Sequence, residues 1–177
     1  MKKYTVSEIK NGIKVIINND PYYIIENKFT NPGKGQAFSK IKLKNIKNDS
    51  IVEKTVKIGE YLKEANIYET ECKFIYSNNE NCYFIENESF EQKEISKKIV
   101  GKYEKWLYNN EECRLIYYNN EIIKVTIPNF VKLKVIETEP YIKQASIKNT
   151  NKNATLITKH KIKVPLFINK DDVIKID

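Results

Sequence analysis

The sequence predicts an all-β protein assembled from small barrels. Short runs of β-branched and aromatic residues recur along most of its 177 residues, and such residues suit a pleated, half-buried surface. Clusters of Asn, Asp, Gly and Pro separate these runs about every ten residues, which is the spacing of closed or half-closed antiparallel sheets. Helical patterning is confined to two short stretches.

Taken in order, residues 12–17 read as a first strand. Asn18-Asn19-Asp20-Pro21 is a turn cluster, and residues 22–25 return. Pro32 cannot donate to a ladder, so pairing stops there. Beyond the turn, Ala37, Ser39, Ile41 and Leu43 alternate with Phe38, Lys40, Lys42 and Lys44, a period of two that places three lysines on one strand face. Residues 56–65 have the composition of a short helix. Residues 72–76 and 82–85 flank Ser77-Asn78-Asn79-Glu80-Asn81 as a hairpin. Residues 94–107 suggest a second helix, interrupted by Gly101. Residues 114–118 and 121–127 flank Asn119-Asn120, which tolerates the left-handed turn conformation. Residues 132–137 and 162–168 complete the strands. Breaks fall near Glu64-Ala65 and at Pro128.

Composition narrows the function. The chain is 41% hydrophobic and 31% charged, as a folded domain is and a disordered one is not. No apolar run approaches the ~20 residues of a membrane span, and the basic Met1-Lys2-Lys3 start leads into no apolar stretch, so no secretory signal is expected. Cys72, Cys82 and Cys113 are odd in number and lack paired spacing. With His160 the one histidine, neither a zinc site nor a nucleophilic triad can be assembled, and a reducing cytoplasm is the expected compartment. The net charge is +8, basic at both ends and acidic in the middle, which suits a chain that grips polyanion at its ends. Lys, Asn, Ile and Tyr are abundant while glycine is scarce. A/T-rich codon usage accounts for part of that bias.

Asn31-Pro32-Gly33-Lys34-Gly35-Gln36 carries the functional argument. It sets one lysine between two glycines at a hairpin tip. Both glycines permit φ > 0 and a close approach by another molecule. A turn has no need of that lysine, so a reaching or modified side chain is the reading. It is no phosphate-binding loop: Lys28 stands where the required first glycine belongs, and Gly35 follows Lys34 in place of Ser or Thr. Two readings fit the row Lys40, Lys42, Lys44: a face for phosphate backbone, or an edge strand defended against aggregation. Lys28 is added to the candidate RNA-binding set. In each of the pairs Tyr83-Phe84 and Tyr117-Tyr118 one ring faces the core and one is half-exposed. Trp106-Leu107 reads as a core anchor, His160 as a surface residue in a basic strand, and Glu86, Glu88 and Glu91 as a solvated face.

The tip through Ala37-Phe38 resembles the tip loop of bacterial elongation factor P. Val52-Glu53-Lys54-Thr55, Glu86-Asn87-Glu88-Ser89-Phe90-Glu91-Gln92, Pro128-Asn129-Phe130-Val131, Val164-Pro165-Leu166-Phe167-Ile168 and Val173-Ile174-Lys175-Ile176-Asp177 resemble further segments of that family, in the same order. The resemblance implies an SH3-like (KOW-type) barrel over residues 1–64 and two OB-type barrels over 65–127 and 128–177, arranged as an elongated L that mimics transfer RNA. It implies a monomeric cytoplasmic translation factor, not an enzyme, that binds the ribosome beside P-site transfer RNA. There Lys34 would reach the CCA end near the peptidyl-transferase centre and relieve stalls at consecutive prolines. It implies no cofactor or metal, and a dedicated ligase that extends Lys34 with a β-lysyl group. Two other functions fit the residues less well: a general single-stranded nucleic-acid binder and a catalytic-lysine enzyme.

Three departures from the family pattern stand out. Lys143-Gln144-Ala145 replaces a Gly-Asp-Thr-like loop implicated in messenger RNA contact. The family pattern runs a short way past Asp177, so contacts of that tail are not carried over. Lys159 and Asp171 replace turn glycines, so those turns are expected to be strained or of changed type.

Overall fold

Strands dominate, as the sequence predicts. A computed structural model describes residues 2–139 and 150–177, and Lys143, Gln144 and Ala145 lie outside the described residues. The first sheet contains β1 (Lys3–Thr5), β2 (Lys14–Ile17), β3 (Asp20–Thr30), β4 (Phe38–Asn45), β5 (Ile51–Lys57) and β6 (Tyr61–Glu64), in the order β1-β6-β2-β3-β4-β5. Its inward positions form one core of Val6, Ile9, Val15, Ile24, Ile41, Leu43, Val56 and Leu62. Asn18 and Asn19, at φ 51° and 67°, make the tight link from β2 to β3, the left-handed pair that a two-residue hairpin turn requires.

The second sheet holds β7 (Ile67–Ser77), β8 (Asn81–Glu86), β9 (Gln92–Ser96), β10 (Glu112–Tyr118) and β11 (Glu121–Thr126), in the order β11-β10-β7-β8-β9. A single helical turn, α1 (Lys97–Val100), and a 3₁₀ segment (Gly101–Trp106) join β9 to β10. The third sheet holds β12 (Val131–Thr138), β13 (Asn151–Leu156), β14 (Lys161–Pro165) and β15 (Val173–Ile176), in the order β14-β13-β12-β15. Its core of Val131, Leu133, Val135, Ala154, Leu156 and Val164 is flanked by Trp106, Ile127 and Ile168. The chain divides into two compact units, Met1–Glu69 with Ile116–Lys124, and Thr70–Leu115 with Val125–Asp177.

Several expectations are corrected. Residues 56–65 form no helix: they end β5, turn at Gly59 (φ 91°) and begin β6. Val56 and Leu62 are buried there while Lys57 and Tyr61 are exposed, so tertiary burial overrides a helix-prone composition. Residues 94–107 are helical only over α1 and the 3₁₀ segment, with Gly101 at φ 58° between them. His160 lies in the turn between β13 and β14, half-buried and edge-on to Trp106 with ring centroids 5.2 Å apart. Glu86 is no solvated residue. It is 8% exposed and accepts hydrogen bonds from Thr70 Oγ1 at 2.9 Å and Ser89 Oγ at 2.6 Å. The strand β13 was not signalled by the sequence pattern.

Lys159 and Asp171 adopt φ 64° and 73°, so the turns keep the glycine-like backbone without glycine. The left-handed region costs an L-residue roughly 1–2 kcal/mol, offset in part by the greater unfolded-state freedom of glycine. Lys159→Gly is therefore expected to stabilise the protein by about 0.5–1 kcal/mol, seen as a higher urea midpoint at unchanged slope.

Candidate functional site

The arm formed by β3 and β4 owes its chemistry to a register shift. Ile24 pairs with Leu43 and Glu26 with Lys42, leaving Ile25 as an extra residue in β3. Without that bulge Glu26 and Lys28 would follow Ile24 onto the core face. With it, Asn27 and Phe29 take the inward register, opposite Ile41 and Ser39. Asn27 Nδ2 donates to the Ile9 carbonyl at 2.7 Å. A bulge of this kind re-aims side chains and strengthens the local twist.

Pairing ends at Thr30 with Phe38, so Pro32 falls outside the ladder. Asn31, Gly33, Lys34, Gly35 and Gln36 are exposed, and Pro32 is half-buried. Lys34 has no hydrogen bond or ion pair with any described residue. Gly35 lies at φ 117°, which reserves the position for glycine. Gly33 does not use the left-handed region, and a Cβ added there would meet nothing within 4 Å. The fold itself therefore gives no reason for glycine at 33.

The lysine row alternates as the sequence predicts, with Ser39, Ile41 and Leu43 buried between its members. It is not a row of bare charges. Glu26 sits 3.0 Å from both Lys28 and Lys42, Glu53 lies 3.9 Å from Lys42, and Asp49 lies 3.0 Å from Lys44. Asp49 also accepts from Lys124 at 2.6 Å. Lys40 alone of the four candidate RNA-binding lysines has no such partner among the described residues, and it faces Lys28 across the ladder. Like charges opposite one another repel. An external anion is thus not needed to relieve Lys42 or Lys44. Exposed pairs are worth only ~0–1 kcal/mol each, so a polyanion can still displace their carboxylates.

The titrations follow the contacts. Hydrogen bonds from Lys28 and Lys42 hold the Glu26 carboxyl below its ordinary range. The bond to Glu26 raises the Lys42 ammonium in return. Burial works against ionising Asp49, but the hydrogen bonds from Lys124 and Lys44 outweigh it and keep that carboxyl low. Sequence reasoning missed Glu26, Glu53, Asp49 and Lys124. The signal for Glu26 was available only to a reader who had placed the bulge.

The aromatic pairs divide as expected. Phe84 is fully buried and Tyr83 half-buried, while Tyr117 is buried and Tyr118 half-buried. Leu107 is buried, and Trp106 packs on the third core. Among the described residues no group of three or more His, Cys, Asp or Glu could hold a metal, and no helix is long and apolar enough to cross a membrane.

Three family models match successive parts of the chain. The KOW-like domain of elongation factor P matches residues 5–62, its OB domain residues 67–125, and its C-terminal domain residues 131–177. Among solved structures, translation initiation factor 5A from Methanococcus jannaschii is 19% identical at a TM-score of 0.55, over 71% of this chain and 91% of that one. An initiation factor 5A family protein from Naegleria fowleri is 14% identical at 0.53, over 71% and 98%. At these identities the two structures show a shared fold.

Proposed function

The chain belongs to the elongation factor P family of translation factors, and from that premise we propose that it binds the ribosome beside P-site transfer RNA and speeds peptide-bond formation at consecutive prolines. The observation that carries this reading is Lys34, exposed and without a partner among the described residues at the end of a two-stranded arm, beside a glycine the fold does not require. A lysine side chain reaches roughly 6 Å at ~1.5 Å per bond. From the tip its ammonium can donate to phosphate and ribose oxygens of the CCA end. Holding the peptidyl end in an attack geometry removes part of the entropic barrier that a rigid proline raises. The ribosome performs the bond-making, so the protein acts as a positioning factor and not as an enzyme.

The supporting roles follow from the loop. Pro32 and Gly35 fix its shape, Gly33 leaves room, and the exposed amides of Asn31 and Gln36 offer further hydrogen bonds. Lys28, Lys40, Lys42 and Lys44 lie behind the tip, where ribosomal RNA phosphates can exchange with Glu26, Glu53 and Asp49. A ligase that appends a β-lysyl group to Lys34 would about double the reach and add donors. In the same reading the protein works as a cytoplasmic monomer, and its barrels are residues 1–64, 65–127 and 128–177.

The test is reconstituted translation of a reporter containing consecutive prolines, with and without the protein. Faster synthesis of that reporter, and no change for a proline-free control, is the expected result. Equal rates would remove the proposal and favour a general single-stranded nucleic-acid binder.

A further inference from the structure

A second site lies away from the Lys34 arm, in the unit formed by Thr70–Leu115 and Val125–Asp177. A groove of about 550 Å³ is lined there by Tyr76 and Ser77 of β7, by Lys102, Lys105 and Leu107, and by Thr158, Lys159 and His160 from the β13–β14 turn. That volume lies within the range of ordinary ligand clefts, ~300–1,000 Å³. We infer that this groove holds a stretch of single-stranded nucleic acid, with a base stacked on Tyr76 and the backbone phosphates on Lys102, Lys105 and Lys159.

The first argument is charge. Lys102, Lys105 and Lys159 are exposed, and no carboxylate among the described residues pairs with any of them. Lys105 Nζ lies 4.8 Å from the centre of the Trp106 ring and Lys102 Nζ 5.3 Å from that of Tyr103. Those contacts orient the two ammonium groups without neutralising them. Glu104, the carboxylate of the lining, is engaged by Lys97 at 2.6 Å. Three uncompensated cations in one concave surface favour a polyanion.

The second argument is the aromatic surface. Phe74 pairs with Phe84 and Tyr76 with Tyr83, so Ile75 is an extra residue in β7. This bulge takes Tyr76 off the core face that Phe74 occupies. Tyr76 is 48% exposed and stacked on Tyr83, with ring centroids 4.4 Å apart. Tyr83 is itself held by its hydroxyl, which donates to Glu94 at 2.8 Å. The exposed ring is therefore pre-oriented, as a base-stacking platform must be. A protein partner would be expected to bring a carboxylate or apolar side chain; the combination of a fixed ring and several cations suits alternating bases and phosphates better. Thr158 Oγ1, in the same lining, is buried without a hydrogen-bond partner among the described residues, and a side-chain rotation would offer its hydroxyl to a bound group.

The chain contains one tryptophan, and its ring meets two lining residues of the groove, His160 at 5.2 Å between centroids and Lys105 Nζ at 4.8 Å, so a change in its emission is the readout of occupancy. The experiment titrates the full chain at low salt with a mixed-sequence RNA hexamer, its DNA counterpart and a glutamate-rich decapeptide. A saturable change with either hexamer is expected, and the tighter of the two identifies the sugar. The salt dependence should have a log–log slope of about −2 for three phosphates. Lys102→Glu with Lys159→Glu should weaken binding at least ~10-fold, and Tyr76→Ala at least ~5-fold. Lys159→Gly, favoured by its turn, should weaken binding while raising stability, which separates contact from folding. The emission change reports on the unit that carries the groove and the ribosomal reading is scored by reporter synthesis, so failure here is distinguishable from failure of that reading. No saturable change with either hexamer, unaltered binding by the variants, or tighter binding of the peptide would each overturn the inference.

Discussion

Lys34→Ala is expected to lower synthesis of the consecutive-proline reporter to nearly the level without the protein, while the unfolding midpoint stays at its wild-type value. The structure separates the two effects. Lys34 is exposed and touches no charged or hydrogen-bonding partner among the described residues, so its truncation removes nothing the fold uses, and such surface changes stay within about ±0.5 kcal/mol. In the proposed role its value lies in reach. Lys34→Arg keeps the charge and most of the length but offers no amine for acylation, and it should fall between wild type and Ala if modification contributes. Intact-mass measurement of the native protein gives the complementary reading: a lysyl-sized gain, absent from both variants. A Lys34→Ala protein with full reporter yield would remove the positioning role.

The largest stability effect is expected at Phe84. Its side chain is fully buried in β8 and meets Phe74 edge-to-face, with centroids 5.6 Å apart and planes at 66°. Phe84→Ala should cost about 3–5 kcal/mol, the loss of transfer energy plus the cavity left behind. At roughly 0.05–0.15 kcal/mol per residue, a segment of about sixty residues holds only some 3–9 kcal/mol, so most of its stability goes. Tyr83→Ala, one position earlier and on the outer face, should cost far less. Urea unfolding of the two variants side by side checks this. Equal losses would mean the faces of β8 are assigned wrongly.

What the sequence showed clearly was alternation. Ser39, Ile41 and Leu43 are buried as their spacing required, and the hairpin turns at Asn18-Asn19 and Asn119-Asn120 take the left-handed backbone that asparagine tolerates. What it hid were the places where alternation breaks. Extra residues at Ile25, Ile75 and Ile136 shift the phase in one strand of each sheet. The strand-favouring run that the sequence displays stops at Ile25, whereas β3 runs to Thr30. That error concealed Glu26 and the carboxylates that accompany the lysines. The false helix over residues 56–65 has a different origin. Its Lys and Glu content satisfies local preference, but the burial of Val56 and Leu62 on a sheet outweighs it. The exposure of the tip was legible, because Pro32 cannot extend the ladder and pairing does end before it, at Thr30 with Phe38.

The ladder between the bulge at Ile25 and the last pair, Thr30 with Phe38, also acts as a ruler graduated in steps. Removing one residue from each strand would turn every outward side chain inward, so the span can change only by even steps. Two rungs fewer would withdraw the tip by about 7 Å, at ~3.4 Å per residue. That is close to the ~6 Å of one lysine side chain. Backbone span and side-chain span are therefore interchangeable measures of distance in this hairpin.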